Sequence, residues 1–83
     1  MAWVYFLYSE KINKYYVGAC TNLDRRLYEH NLGHSKFTST GKPWELVYKE
    51  EWVDLVLAKQ RELKIKKMKS RTYIEDLIRK GIL

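Results

Sequence analysis

The sequence has one cysteine, one proline, only two histidines and no long apolar run. The lone Cys20 cannot close a disulfide within the chain, which suits a reducing compartment and gives the expectation of a cytoplasmic protein. One cysteine and two histidines, with no CxxC or HxxxH spacing, argue against a structural zinc site. No stretch approaches the ~20 apolar residues that a membrane span requires. The start, MAWVYFLYSE, lacks the basic opening and the apolar block of a signal peptide. A second hydrophobic core could not be closed from 83 residues, so the expectation is a single domain over 1–83.

What the chain does have is aromatic and basic. At 46% hydrophobic and 14% aromatic it carries the material for one packed core, and its formal net charge is +6. The excess is concentrated between Lys59 and Arg71, where Lys59, Arg61, Lys64, Lys66, Lys67, Lys69 and Arg71 face one acid, Glu62. Clustered cations release counterions on meeting a phosphate backbone, which favours a nucleic acid as partner. The plainer reading is the solvated face of a helix.

The pattern along the chain is that of a small α+β domain. Residues 2–8 (AWVYFLY) are aromatic and β-branched and read as a strand; SEKIN turns, and KYYVGA over 14–19 returns antiparallel. A four-residue loop over 9–12 would pair position 8 with 13 and set Tyr5 directly opposite Tyr16, on one face. Asn22 then caps a helix over 22–32, with Gly33 as its stop. Residues 33–43 read as a loop, and WELVYKEEW over 44–52 as a third strand with Leu46 and Tyr48 on one side, Val47 and Lys49 on the other. Asp54 caps a helix over 54–68, Ser70 caps another over 71–80, and Gly81 ends it. The order β-β-α-β-α-α predicts a three-stranded, mainly antiparallel sheet flanked by helices.

Several residues break this pattern. Glu62 shares a helical row with Leu55, Ala58 and Ile65, where an unpaired carboxylate would be costly. It would hold a divalent cation, pair with an arginine of the first helix, or simply sit at the edge of a wider face. Arg26 and His30 stand one turn apart; the planar guanidinium matches a phosphate, and the imidazole titrates near neutrality. A surface cation and a hydrogen-bonded ring are the plainer readings. Tyr5 and Tyr16 would be ordinary sheet aromatics but for Gly18, since glycine inside a strand marks a close approach or a bend. A phenol whose pKa is lowered by nearby cations can take a proton from water.

Val4-Tyr5, Tyr16-Val17-Gly18, Asn22-Leu23, Arg26, His30 and a helical Glu62 together resemble the GIY-YIG nuclease superfamily, from Trp3 to about Ile78. The segment YYVGACTNLDRRLYEHNLG carries the most specific part, and the rest looks like the compact, stand-alone bacterial endonucleases. The resemblance implies a DNA endonuclease of low sequence specificity that recognises DNA structure, serving repair or recombination. Tyr5 and Tyr16 would share activation of water and the holding of the phosphate. Arg26 would stabilise the transition state, His30 would assist a tyrosine, and Glu62 would bind one Mg²⁺ or Mn²⁺ ion. Lys59, Lys66, Lys67, Lys69, Arg71 and Lys36 would hold DNA. Two positions depart from the family: Trp3 replaces the first motif's glycine, and no asparagine follows Glu62. The alternative is a nucleic-acid-binding module that does not cut.

Overall fold

A computed structural model describes residues 1–33 and 36–81, with the side chains of residues 36 and 37 outside the described set. Strands β1 (Ala2–Ser9), β2 (Lys14–Cys20) and β3 (Glu45–Trp52) form one sheet in the order β2-β1-β3. Both pairings are antiparallel, as hairpin connection of neighbouring strands allows. Helices α1 (Leu23–Leu32), α2 (Lys36–Thr40), α3 (Leu55–Met68) and α4 (Arg71–Lys80) surround it. The expected order holds; α2 is a short helix inside the segment read as a loop. Each expected cap is present: Asn22 Oδ1 accepts from the Arg25 N–H at 3.1 Å, Asp54 Oδ1 from Leu57 at 2.9 Å, and Ser70 Oγ from Tyr73 at 3.1 Å.

The central strand explains its own composition. Ala2, Val4 and Phe6 point to one face, against Val17 of β2 and Ala58 and Ile65 of α3, with α4 packed beside them. Tyr5 and Leu7 point to the other, against Cys20, Trp44 and the α1 residues Leu23 and Leu27. A strand buried on both faces has no polar alternation, which is why AWVYFLY reads as a continuous apolar run.

Two registers differ from the sequence reading. The hairpin pairs Ser9 with Lys14, which sets Tyr5 opposite Gly18 rather than Tyr16. The turn closes one residue later on each side because Asn13 takes a left-handed conformation (φ 52°), and its Oδ1 accepts from the Tyr8 hydroxyl at 2.7 Å. Tyr5 and Tyr16 still share a face, but diagonally, since shifting by two residues preserves the side. In β3, a register shift between Phe6 and Leu7 puts Leu46 opposite Leu7 and Tyr48 opposite Phe6. That irregularity sends Leu46 and Tyr48 to opposite faces, against the simple alternation expected.

Candidate active site

Tyr5 stands on the central strand with no solvent exposure, and its hydroxyl shares a 3.0 Å hydrogen bond with His30 Nε2. The ring fits because of its cross-strand partner: a Cβ at Gly18 would lie 2.5 Å from the Tyr5 hydroxyl oxygen. Tyr16, two residues earlier on the same face of β2, has its ring 6.3 Å from that of Tyr5 and 4.6 Å from that of His30. His30 is the buried residue of α1 and stands against both tyrosines. The edge of Trp44 closes the far side of Tyr16 at 6.3 Å.

Arg26 lies one turn before His30 on α1, with its side chain 44% exposed and paired to Glu29 at 3.2 Å. Its guanidinium is close enough to the Tyr5 hydroxyl to favour the ionised phenol, yet burial outweighs it and pushes the Tyr5 pKa up to about 12. The expectation of a lowered phenol pKa therefore fails for Tyr5, which is held neutral as a hydrogen-bonding group. Burial also raises the Cys20 thiol, again against the pull of Arg26.

Glu62 lies on α3 between the buried Ala58 and Ile65, with its carboxylate 18% exposed. Of the three readings open for it, the partner seen is not an arginine of the first helix: its ion pair is with Lys66, one turn on along α3 itself. The helix runs along the edge strand β2. Lys59 lines a recess with Ala19, Cys20 and Arg26, whereas Lys66 lines one with Tyr16 and Val17. Glu62 falls between these two lysines along α3. The structure thus brings Tyr5, Tyr16, His30 and Arg26 together, whereas Glu62 stands on α3, whose buried residues pack on the other face of the sheet.

The basic residues divide. Lys59, Lys66, Lys69 and Arg71 face the β2 side, but Lys67 lines a separate groove with Lys64, Glu50 and Glu51 on the β3 side. Arg61, counted in the sequence as part of the cationic run, makes a two-pronged ion pair with Glu50 at 3.0 and 3.1 Å. That pair holds Glu50 below the usual carboxylate range although burial opposes it. Arg71 is engaged by Glu75 at 3.2 Å and Asn13 Oδ1 at 2.7 Å, with its guanidinium over the Tyr15 ring. The side chain of Lys36 lies outside the described residues.

Sequence reasoning passed over the Trp44 anchor. Asn31 Oδ1 accepts from the Trp44 N–H at 2.6 Å and Asn31 Nδ2 donates to its carbonyl at 3.2 Å, while the indole N–H donates to Thr38 O at 2.8 Å. These bonds fix the ring that borders Tyr16. An asparagine inside a helix and a tryptophan after proline were the only signs, and neither specifies a partner. Trp3, standing where the resemblance expects glycine, packs on the site's face of the sheet with the Lys49 ammonium 5.4 Å from its ring centroid.

Among the described residues no three His, Cys, Asp or Glu side chains group around one point. Glu62 therefore offers one carboxylate. One carboxylate fits a hard cation that keeps water and phosphate oxygens as its other ligands.

Comparisons with known proteins bear on the family. The model of the GIY-YIG catalytic domain matches residues 1–74, which takes in Tyr5, Gly18, Arg26, His30 and Glu62. A UPF0213 protein of Staphylococcus haemolyticus is 40% identical over 68% of this chain and 70% of its own length. A UPF0213 protein of Natronomonas pharaonis is 41% identical over 76% of this chain and 74% of its own. No solved structure matches significantly. On the extent of the family match and on both relatives, the chain belongs to the GIY-YIG family, a family of nucleases.

Proposed function

We propose that this protein is a metal-dependent DNA endonuclease of low sequence specificity that recognises DNA structure, in repair or recombination, and that its site is the β2 edge. The observation that carries the reading is the cluster in which Tyr5 and His30 are hydrogen-bonded at 3.0 Å, with Tyr16 against His30 and Arg26 beside Tyr5. Phosphodiester hydrolysis needs a nucleophile, charge stabilisation on the phosphoryl oxygens and help for the leaving oxygen. Tyr16 is partly exposed, unlike Tyr5; it orients or deprotonates the attacking water. Tyr5 is buried and neutral, so it positions His30 rather than meeting water. Arg26, partly exposed, places a fixed positive charge against the phosphate. Glu62 is the residue that would hold the divalent ion, in place of its Lys66 partner. When bound, Mg²⁺ or Mn²⁺ supplies Lewis-acid stabilisation of the phosphate and the leaving oxygen.

The chain's activity is proposed to reside in one domain over 1–83 in the cytoplasm; among the described residues no helix is long and apolar enough to cross a membrane. Nicked, branched, single-stranded and duplex DNA incubated with Mg²⁺ or Mn²⁺, beside Glu62→Ala, test the reading. Metal-dependent cleavage that disappears in EDTA and in the variant is expected. Salt-dependent binding that survives Glu62→Ala, with no cleavage of any substrate, would replace it with the non-cutting module.

A further inference from the structure

The recess beside Tyr16 has a chemistry that the hydrolysis itself does not use. It holds about 580 Å³, within the range of sites for small ligands (about 300–1,000 Å³), and runs between β2, the end of α3 and the start of α4. Its floor is apolar: Val17, Ile65 and Ile74, with the Tyr15 ring as a wall. Its rim is cationic: Lys14, Lys66, Lys69 and Arg71, with no acidic side chain among the described residues that line it, while Glu62 and Glu75 stand behind as the partners of Lys66 and Arg71. Lys14 and Lys69 have no carboxylate partner among the described residues. Both are exposed. The Arg71 guanidinium lies over the Tyr15 ring, 5.1 Å from its centroid, and is bonded to Asn13 and Glu75, so that wall is fixed in place.

An apolar floor inside a ring of cations suits a ligand that is planar and apolar at its centre and anionic at its ends. We propose that this recess binds one unpaired nucleotide next to the scissile phosphate, so that the substrate is a strand with at least one base out of the stack. The proposal rests on the β2 edge being the nucleic-acid site. In blunt B-form DNA the bases are stacked and only their edges reach the grooves, so a duplex can use the rim but not the floor. A single strand, or the arm of a branched duplex, offers a base to the floor and its two flanking phosphates to the rim. The recess shares Tyr16 and Lys66 with the proposed site. An occupant there is therefore adjacent to the phosphate presented to Tyr16, and its phosphate competes for the lysine that now holds Glu62. The nuclease would then select DNA by the absence of pairing at one position, which needs no base-specific contact.

The test measures binding with chemistry switched off: Glu62→Gln in EDTA, titrated with a fluorescent single strand, the matched blunt duplex and a duplex carrying a single-stranded arm. The single strand and the armed duplex should bind roughly tenfold tighter than the blunt duplex, the scale of one stacked base. Tyr15→Leu and Ile74→Ala should remove most of that preference while leaving duplex affinity unchanged. Lys14→Ala, on the exposed rim, should weaken the single strand more than the duplex, and it keeps the test intact if Ile74→Ala does not fold. Equal affinity for paired and unpaired DNA, or equal loss across all three ligands in the variants, overturns the proposal. Wild-type protein with Mg²⁺ is assayed in parallel. Preference without cleavage supports the recess and removes the nuclease reading; cleavage without preference removes the recess and leaves the nuclease reading standing.

Discussion

The Tyr5 ring occupies the space that a side chain at position 18 would need: a Cβ there would meet the Tyr5 hydroxyl oxygen at 2.5 Å and the ring carbon that bears it at 2.6 Å. The two residues face each other across β1 and β2, and the absence of a side chain on one lets the other reach His30.

Gly18→Ala should therefore displace the Tyr5 ring and break its bond to His30. The ring is fully buried, so it cannot swing into water. A loss of about 1–3 kcal/mol in urea unfolding is expected for forced overpacking, with a larger proportional loss of cleavage than Ala19→Gly shows.

Tyr5→Phe isolates the hydroxyl. It should cost about 0.5–1.5 kcal/mol, the worth of one hydrogen bond with His30 left behind. The pH dependence has a definite sign. The folded phenol ionises near 12 against 10.0 for the free group, so above 10 the unfolded chain releases its proton first. Stability is full below pH 10 and falls as pH rises toward 12. Chemical unfolding across that window should show a shallower decline in Tyr5→Phe than in the wild type; an identical decline would mean that Tyr5 is not held neutral.

The tie from Arg61 to Glu50 should prove structural. Arg61→Ala leaves a carboxylate that is 17% exposed without its cation, and a loss of about 1–3 kcal/mol in stability follows. Its DNA affinity measured at moderate salt should change less than that of Lys59→Ala, because Arg61 lines the groove on the β3 side. A larger loss for Arg61→Ala would return it to the nucleic-acid surface.

These contrasts show where the sequence was informative. Elements and caps were legible because each has a local cause: Asn22, Asp54 and Ser70 each accept from the residue three positions on. The placement of Tyr5 relative to Tyr16 was not, since it depends on Asn13 adopting a left-handed turn, a conformation that asparagine tolerates without requiring it. The inward-facing side of α3 was legible in Ala58 and Ile65, and so was the oddity of Glu62 between them. Which cations face DNA was not legible, because Arg61 is claimed by Glu50 of β3, eleven residues away in sequence. The proximity of Arg26, His30 and the two tyrosines followed from helix spacing and strand alternation together with the family pattern. The raised Tyr5 pKa did not follow, because it is set by complete burial, which composition does not report.

Glu62→Gln is the sharpest separation of chemistry from folding. The ion pair it removes is a single i, i+4 contact with an exposed lysine, worth about 0.3–0.5 kcal/mol, so thermal stability should barely change. The carboxylate it removes is the proposed metal ligand. The most direct measurement is the single-turnover cleavage rate of an armed DNA duplex in Mg²⁺ for wild type, Glu62→Gln, Arg26→Ala and Tyr16→Phe, with circular dichroism confirming each fold. Metal-dependent cleavage by the wild type and a loss of at least about a hundredfold in each variant are expected. Cleavage that persists in Glu62→Gln and in EDTA, or a folded wild type that cuts no DNA with either metal, would contradict that expectation.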